Sequence, residues 1–470
     1  MDRSPAKFVW LLMAVATWSF FLVAGAGKLQ PSCIGRERDA LLVFKQGIND
    51  TYDYLGSWQQ ERQDCCQWAG ITCSNTTGHV IQLDLGGRDL IFLTTFLLDL
   101  YRPGMASCTA LCSLDLSDNN ITGVIPPWLG NCTSLWYLYL SKNLLTGHVP
   151  SKISLLGQLT ELDLSNNNLD GVITEEHLVT LNNLKHLDLS HNSLSGPLPL
   201  EFVANGLVEL TLSSNSFTGH IPDSICKLRN LLVLDLSGNL LDGELPQCSQ
   251  KPNLVFLLLS HNKFSGKFPP SLKNYSSLAF MDLSVNNFYG TLPSWIGDLV
   301  YLRFLQLSHN FLCGDIPMSI TNLKHLCQLS LAGNSISGVI PWSLSNLTAM
   351  AQKHSKRHEV DMFKWYSGQV GKFREVLPIV MKHQELKYGT RIFDVVSMDL
   401  SLNHLTGEIP DGITSLNGLL NPRPGLDGEM DQCSRSGPSG GGRYAAAMRY
   451  EGGQASRCSD IYWLFSELRH

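Results

Sequence analysis

Charged residues are scarce in this sequence of 470 residues, and they make up only 16% of the chain. The formal net charge of −6 leaves no surplus of lysine and arginine of the kind that binds nucleic acid, so no nucleic-acid partner is expected. The hydrophobic fraction of 44% is too high for an intrinsically disordered chain. Composition therefore indicates a folded protein that does not bind nucleic acid.

Long apolar runs are also missing after the N-terminus, since no later stretch reaches the roughly 20 apolar residues that span a bilayer. The run from Phe8 to Val23 follows the positive charge of Lys7 and precedes a small-residue cleavage site at Ala24–Ala26. This pattern predicts a signal peptide over residues 1–26, with an N-terminal membrane anchor as the alternative. We expect export through the secretory pathway to the extracellular space, and no membrane helix in the mature chain.

Two kinds of modification fit an exported chain. The 13 cysteines can form disulfides in an oxidising compartment. Six Asn-x-Ser/Thr sequons predict a glycosylated surface. These sequons begin at Asn49, Asn75, Asn120, Asn131, Asn274 and Asn346.

The sequence contains no enzyme signature. It has no glycine-rich loop followed by a Val-Ala-Ile-Lys strand, and no His-Arg-Asp or Asp-Phe-Gly motif of a protein kinase. The glycines at 440–442 lie in low-complexity sequence and are not read as a phosphate loop. We therefore expect no catalytic residue, no metal and no cofactor.

The dominant feature is the pattern L-x-x-L-x-L-x-x-N, which recurs every 23 to 25 residues. Its period and consensus are those of a leucine-rich repeat, and they predict ten copies over residues 111–350 and one more over 394–420. The asparagines of these copies are Asn119, Asn143, Asn167, Asn192, Asn215, Asn239, Asn262, Asn286, Asn310, Asn334 and Asn403. A buried amide at a bend must find hydrogen-bond partners, so these asparagines are predicted to be structural.

The spacing of the leucines dictates a fold. The two closely spaced leucines alternate with other residues and so point to one face of a short strand. Stacked copies align these strands into a parallel sheet, because one copy cannot bury its leucines alone. We expect an α/β repeat solenoid, a right-handed twisted superhelix with the parallel sheet on its concave face. Most copies continue with Gly-x-(Ile/Val/Leu/Phe)-Pro, but Gly171–Thr174 lacks the proline.

The segment before the repeats carries a distinctive motif. Residues 38–45 have the apolar spacing of a helix, and Trp58 and the sequence CCQWAGITC of residues 65–73 follow. Residues 27–85 resemble the helical N-terminal cap of plant leucine-rich repeat receptors. That resemblance implies the disulfides Cys33–Cys65 and Cys66–Cys73, whereas four cysteines alone permit three connectivities.

Cap and repeats together resemble the plant leucine-rich repeat receptor-like proteins, within the subgroup that acts in disease resistance and senses microbial products. The resemblance implies binding of a protein, peptide or glycan ligand, with a receptor-kinase co-receptor ectodomain as a further partner. One alternative is a secreted inhibitor of a microbial wall-degrading enzyme, of the polygalacturonase-inhibitor type. Another is a non-functional truncated gene product. Association with the plasma membrane through partners or a longer form is the alternative localisation.

Three segments depart from the repeat. Residues 86–110 form an irregular or degenerate copy, and residues 351–393 form a basic insertion of the kind called an island in receptor-like proteins. By resemblance, the insertion contacts ligand and co-receptor, with candidate residues Trp365, Tyr366, Lys382 and Tyr388. Residues 421–470 are rich in glycine, serine and arginine and are predicted to be disordered, in place of the C-terminal cap and membrane helix expected of the family.

The ligand should bind between the leucines on the concave face. The residue directly before the second leucine of each copy forms a column that holds Phe256, Phe280 and Phe304 in succession. Exposed aromatic residues in a row predict a contact patch, with coverage by glycans or by the insertion as the alternative. Trp136, Tyr137 and Tyr139 form a second aromatic group.

Other polar columns on this face are interpreted as structural. Aspartate recurs between the second and third leucines, at Asp115, Asp163, Asp188, Asp235, Asp282 and Asp399. Paired carboxylates occur in glycosidases, but these arise from a repeat and not from a single site. The histidines of one further column, His191, His261 and His309, skip repeats and do not predict a metal site.

Overall fold

The computed structural model of the protein describes residues 32–92, 109–202, 206–249, 253–351, 377–381, 384–388 and 396–416. The predicted signal peptide, the predicted disordered tail, and Trp365, Tyr366 and Lys382 lie outside these residues. Tyr388 lies within a described strand.

The described chain is a solenoid built around one long sheet, the concave sheet. Its thirteen strands follow chain order, and all but the first are parallel to one another. They are Ile71–Cys73, Val80–Asp84, Ser113–Asp115, Tyr137–Tyr139, Glu161–Asp163, His186–Asp188, Glu209–Thr211, Val233–Asp235, Phe256–Leu258, Phe280–Asp282, Phe304–Gln306, Gln328–Ser330 and Ser397–Asp399. The predicted α/β repeat solenoid is confirmed, and the repeat leucines form one continuous buried core.

The repeat asparagines form a hydrogen-bonded ladder along one edge of the core. Asn286 represents all of them: its Nδ2 donates to the carbonyl oxygens of Leu259, Leu283 and Ser284 at 2.9, 3.2 and 3.1 Å. Its Oδ1 accepts from the backbone N–H of Phe264 at 3.0 Å. Each amide therefore closes its own bend and ties it to the preceding coil, which explains why asparagine recurs there.

Short elements complete each coil behind the concave sheet. A second set of strands consists of Thr122–Val124, Leu144–His148, Asn168–Asp170, Ser195–Pro197, Ser216–Gly219, Leu240–Gly243, Lys263–Gly266, Asn287–Thr291, Phe311–Asp315 and Ser335–Ser337. The 3₁₀ helices of the coils are Pro127–Asn131, Ser151–Leu155, Asp223–Lys227, Pro270–Asn274, Ser294–Asp298, Met318–Asn322, Trp342–Asn346 and Asp411–Ser415. Within this pattern, Gly219 takes a φ of 76° and Pro222 precedes a 3₁₀ helix, as the Gly-x-Ile-Pro motif requires.

The copy without proline folds differently at that point. Thr174 stands in place of the proline and precedes an α-helix, Glu175–Leu178. The backbone N–H of Thr174 donates to Nδ1 of His177 at 3.1 Å, so Nε2 of His177 carries the proton shared with the carbonyl of Val149 at 3.0 Å. Thr174 therefore precedes an α-helix where most copies have a proline followed by a 3₁₀ helix, and this coil still stacks on its neighbours.

The residue before each ladder asparagine adopts a left-handed backbone conformation, which Asn and Gly tolerate best. In one copy this residue is Val285, with a φ of 53°, and in another it is Asn166, with a φ of 54°.

Because a β-branched residue is strained in this left-handed conformation, we expect Val285→Asn to stabilise the chain by about 1 kcal/mol. Guanidinium chloride unfolding measures the change. The reciprocal substitution, Asn166→Val, should destabilise the chain by a similar amount. If both substitutions changed the unfolding free energy in the same direction, the proposed strain at Val285 would be refuted.

The N-terminal cap closes the first coil. The α-helix Gly35–Gln46 places Phe44 on Trp58, with ring centroids 6.0 Å apart, and Trp58 stacks on Trp68 at 5.5 Å. The disulfide Cys33–Cys65 links a short 3₁₀ helix, Cys65–Gln67, to the residues just before this α-helix. Cys66–Cys73 forms as well, so the structure contains both disulfides that the resemblance implies. A further disulfide, Cys226–Cys248, links two adjacent coils.

The concave sheet continues from the strand before each irregular segment to the strand after it. The concave sheet passes directly from Val80–Asp84 to Ser113–Asp115, while Ile91–Phe92 pairs antiparallel with Ile48–Asn49 of the cap. On the far side of the insertion, Ser397 pairs with Gln328. Asn403 joins the ladder by donating to the carbonyl of Leu331 at 2.8 Å.

The insertion contains a β-hairpin. Strand Leu377–Met381 pairs antiparallel with strand Gln384–Tyr388. A short α-helix, Thr348–Ala351, precedes the insertion and is held by the backbone N–H of Ala349, which donates to the carbonyl of Lys324 at 3.1 Å. Both ends of the insertion are therefore anchored beside the last strands of the concave sheet.

Candidate functional site

The concave sheet has a core side and an outward side. Leu257, Met281 and Leu305 lie on the core side and belong to the continuous leucine core. Residues that alternate with them along each strand lie on the opposite side, as the period of a strand requires. These outward positions form two regions of different chemistry, one near the cap and one near the insertion.

The region near the insertion is an aromatic ladder formed by Phe256, Phe280 and Phe304. The three residues occupy one register position on adjacent strands. Their rings stack in parallel, with centroids 4.2 and 4.3 Å apart. The ladder is separate from the leucine core, which contains other phenylalanines such as Phe264. The predicted placement on the outward side of the sheet is therefore correct.

The predicted exposure of the ladder is wrong. Phe256, Phe280 and Phe304 retain only 1, 5 and 4% of their accessible surface. Val233 and Gln328, which flank the ladder in the same column, retain none. A column position predicts the side of the sheet on which a residue lies, but it says nothing about what packs over that side. The ladder is thus not an open contact patch.

The region near the cap is more open and more polar. Trp136, directly before strand Tyr137–Tyr139, is 48% exposed, and Tyr137 and Tyr139 are half-buried with stacked rings 6.3 Å apart. The phenol of Tyr139 donates a hydrogen bond to the carboxylate of Glu161. Burial, reinforced by that carboxylate, raises the pKa of Tyr139 above its usual range, so its hydroxyl stays protonated as a donor. Of this predicted aromatic group, the structure thus brings the rings of Tyr137 and Tyr139 together.

Acidic side chains continue this open region along the next strands. Nδ1 of His186 lies 3.0 Å from Oε2 of Glu209, and both side chains are largely but not fully buried. Asp188 lies opposite Asp163 in the register of the sheet. Burial, with the neighbouring Asp163 carboxylate as a smaller cause, raises the pKa of Asp188 to about 8. We call the cluster of Trp136, Tyr137, Tyr139, Glu161, His186 and Glu209 the open groove.

Sequence reasoning selected the aromatic residues of the open groove and passed over Glu161, His186 and Glu209. These three stand in the same column as the phenylalanines, directly before the second leucine. They were not predicted as site residues because they are polar, and single polar residues on a solvent-facing strand are common. The paired contacts across adjacent strands become visible only once the register is known.

The repeated aspartates bind the backbone of their own coil. Oδ1 of Asp282 accepts hydrogen bonds from the N–H and the hydroxyl of Ser284 at 3.0 and 2.6 Å. Asp115, Asp163, Asp235 and Asp399 accept the same pair of bonds from the serine two residues on. Burial raises the pKa of Asp235 and of Asp282. These contacts support the interpretation of the aspartates as structural.

Potential metal ligands come together at one place within the described residues. The sulfurs of Cys33, Cys65 and Cys66 lie close enough to one another to share an ion. These sulfurs are bonded in the two disulfides of the cap. His191, His261 and His309 occupy the left-handed turn position before a ladder asparagine. Their recurrence is thus explained by the turn.

The predicted glycosylation sites lie away from the strands of the concave sheet. Asn49, Asn75, Asn131 and Asn346 are exposed, while Asn120 and Asn274 are half-buried. Asn131, Asn274 and Asn346 each end a 3₁₀ helix behind the sheet. Glycans at these positions would leave the open groove accessible.

Comparison with known families decides the class of the chain. Residues 34–74 match the leucine-rich repeat N-terminal domain. Leucine-rich repeat models match residues 102–145, 158–178, 183–204, 206–228, 230–251, 253–275, 301–323 and 325–347. This chain is a leucine-rich repeat protein. Its N-terminal cap and its coils are those that the sequence predicted.

Curated relatives of this leucine-rich repeat protein include plant receptor-like proteins and receptor-like protein kinases. Receptor-like protein EIX1 of Solanum lycopersicum is 39% identical over 85 residues, which cover 18% of this chain and 8% of the relative. Receptor-like protein EIX2 of the same plant is 47% identical over 77 residues, covering 15% and 7%. Receptor-like protein 12 of Arabidopsis thaliana is 30% identical over 131 residues, covering 27% and 15%. The matched segments therefore span only a small part of each relative.

Solved structures include receptors and a protein of another function. A TDR receptor superposes with a TM-score of 0.56 and 27% identity, over 75% of this chain and 57% of the receptor. A plant ice-binding protein superposes with a TM-score of 0.50 and 26% identity, over 66% and 90%. Within the described residues of the leucine-rich repeat protein, no helix combines the length and the apolar character needed to cross a membrane.

Proposed function

We propose that this leucine-rich repeat protein is an extracellular recognition module that binds a peptide or protein segment in its open groove. The ligand associates non-covalently, and defence against microbes is the setting that the receptor-like relatives suggest. A co-receptor ectodomain is the second partner that we propose. A glycan ligand is a less favoured candidate, because the groove is lined by acidic and paired side chains.

A single observation carries this proposal: the open groove combines an exposed indole, two stacked phenols and charged groups on neighbouring strands. Exposed aromatic side chains on a rigid sheet provide binding energy at a small entropic cost. Glu161 and Glu209 add a negative charge that favours a basic segment. Adjacent strands lie about 4.8 Å apart, so the groove presents these groups at intervals that an extended chain can follow.

Selection from random sequences tests the proposal without requiring that the natural ligand be identified. A phage-displayed library of random 12-residue peptides is selected on the secreted full chain, and the enriched peptides are titrated on variants by biolayer interferometry. We expect Tyr137→Ala to weaken binding by about tenfold or more, since truncating a buried aromatic anchor costs roughly 1–3 kcal/mol. Tyr289→Ala is the matched control, because Tyr289 is exposed on the second set of strands.

The outcomes separate the candidate functions. Enriched basic or aromatic peptides that lose affinity for the Tyr137 variant and keep it for the Tyr289 variant would support recognition in the groove. Peptides affected only by Tyr289→Ala would place recognition elsewhere and refute the proposal. Inhibition of fungal polygalacturonases by the chain, without selection of any peptide, would favour the inhibitor function instead.

A further inference from the structure

We infer that a subsite for one cationic side chain, the guanidinium of an arginine, adjoins the open groove and consists of Asp163, Asp188, Thr211 and Glu209. These four residues are called the acidic subsite. The assignment rests on the proposed function and deepens it, because it names the chemistry of one side chain of the bound peptide.

The register of four adjacent strands places the acidic subsite on the outward side of the concave sheet. One row of paired positions consists of Glu161, His186, Glu209 and Val233. The next row on the same side consists of Asp163, Asp188, Thr211 and Asp235. The exposed Lys185, which directly precedes one of these strands, offsets only part of their acidity. The rows therefore favour a positively charged group.

Thr211 is an independent indication of a ligand. It lies between Asp188 and Asp235 in its row and retains 7% of its accessible surface. Its hydroxyl oxygen is buried and has no hydrogen-bond partner within the described residues. A buried hydroxyl without a partner is costly, whereas an N–H group of a ligand that donated to this oxygen would remove the cost.

The carboxyl groups of the acidic subsite have further acceptor oxygens. Asp163 and Asp188 each accept a hydrogen bond through Oδ1 from the backbone N–H of the serine two residues on, at 3.0 and 2.9 Å. Oε2 of Glu209 lies 3.0 Å from Nδ1 of His186. None of these contacts uses Oδ2 of the aspartates or Oε1 of Glu209. The subsite therefore suits a ligand with several donors.

The spacing of these acceptors favours a guanidinium over a metal ion. Adjacent strands lie about 4.8 Å apart, whereas Ca²⁺ and Mg²⁺ bind oxygens at about 2.0–2.6 Å. Within the described residues, three potential metal ligands converge only at the cysteines of the cap. A guanidinium is planar and carries five N–H donors in a fixed fork, so it can bridge acceptors on two strands. An ammonium is compact and more strongly hydrated, which makes it the poorer ligand for a half-buried site.

Asp188 changes its protonation when a cation binds. Burial, with the Asp163 carboxylate as a smaller cause, raises the pKa of Asp188 to about 8. A guanidinium beside it favours the ionised form, because an opposite charge stabilises a carboxylate. Binding is therefore best measured at about pH 8, where Asp188 gives up its proton readily.

The experiment is a titration of the secreted full chain with N-acetylarginine amide, N-acetyllysine amide and the uncharged analogue N-acetylcitrulline amide, followed by saturation-transfer difference NMR. The wild type should bind the arginine amide about fivefold or more tightly than the citrulline amide, because charge-assisted hydrogen bonds are the stronger ones. Asp188→Asn should reduce this preference to less than about twofold. Should that variant fail to fold, Glu209→Gln removes a charge from the same subsite.

Thr211→Val separates binding from folding. It removes the unpartnered hydroxyl and keeps the shape of the side chain, so the midpoint of thermal unfolding should stay unchanged or rise. Binding of the arginine amide should nevertheless weaken by about threefold or more, since one acceptor is lost. A lower unfolding midpoint with unchanged binding would show that the hydroxyl stabilises the fold, and would overturn the assignment.

Asp282→Asn is the matched control. Asp282 occupies the same position of the repeat and accepts the same bonds from its serine, but it lies on the strand of Phe280, outside the open groove. Its substitution should leave the arginine preference within about twofold of the wild type. Equal binding of the arginine and citrulline amides by the wild type, equal binding of the lysine amide, or an equal loss with Asp282→Asn would overturn the subsite. Selected peptides that need Tyr137 but contain no arginine would overturn it as well, while the proposed function would stand.

Discussion

Replacing Asn286 with alanine should cost about 3–5 kcal/mol of unfolding free energy. The side chain is 6% exposed and makes four hydrogen bonds to backbone groups of two coils. Each buried partner left without a bond costs about 1–3 kcal/mol, and the N–H of Phe264 loses the acceptor that the amide provides. Guanidinium chloride unfolding followed by circular dichroism measures the loss.

The neighbouring residue provides a matched control. Asn287 is exposed, and its side chain makes one long contact of 3.4 Å with the carbonyl of Lys263. Asn287→Ala should change the unfolding free energy by no more than about 0.5 kcal/mol. Equal effects of the two substitutions would contradict the ladder as a source of stability.

A core leucine should be as sensitive as a ladder asparagine. Leu236 is completely buried, whereas Leu240 in the same coil is 42% exposed. Leu236→Ala removes buried methyl groups and leaves a cavity between adjacent coils, so we expect a loss of about 2–5 kcal/mol. Leu240→Ala should stay within about 0.5 kcal/mol of the wild type. The same unfolding assay applies, and a large effect of Leu240→Ala would contradict the assignment of the core.

The solenoid was predictable because its determinants are local and repeated. A leucine such as Leu236 and an amide such as Asn286 have the same surroundings in every coil, so one repeat unit describes them all. Two departures illustrate the limit of that reasoning. Thr174 begins an α-helix in place of a proline turn, and Cys226 pairs with Cys248 one coil later. A cysteine spacing close to one repeat was the available signal for that disulfide.

The candidate site was predictable only in part, because burial depends on distant segments. The column of Phe256, Phe280 and Phe304 follows from strand alternation, and so does its side of the sheet. Its burial does not follow from the same pattern, because the spacing of the leucines specifies the side of the sheet and not what covers that side. The contact between Tyr139 and Glu161 likewise depends on the register of two strands.

These features give the two regions of the concave face different roles. The aromatic ladder is buried and offers no open contact surface. The open groove keeps Trp136 exposed beside polar groups that can donate and accept hydrogen bonds. Burial holds Asp188 largely protonated at neutral pH, and stability from this group is lost as pH rises toward its folded pKa of about 8.

Footprinting the wild-type chain with and without a saturating selected peptide tests the central claim most directly. Recognition through the open groove predicts that bound peptide lowers oxidation of Trp136, Tyr137 and Tyr139 by about threefold or more, because a docked ligand excludes solvent from aromatic anchors. Tyr289 and Phe311 should be oxidised at the same rate in both samples. Protection confined to Tyr289 and Phe311, with Trp136 unchanged, would contradict the account.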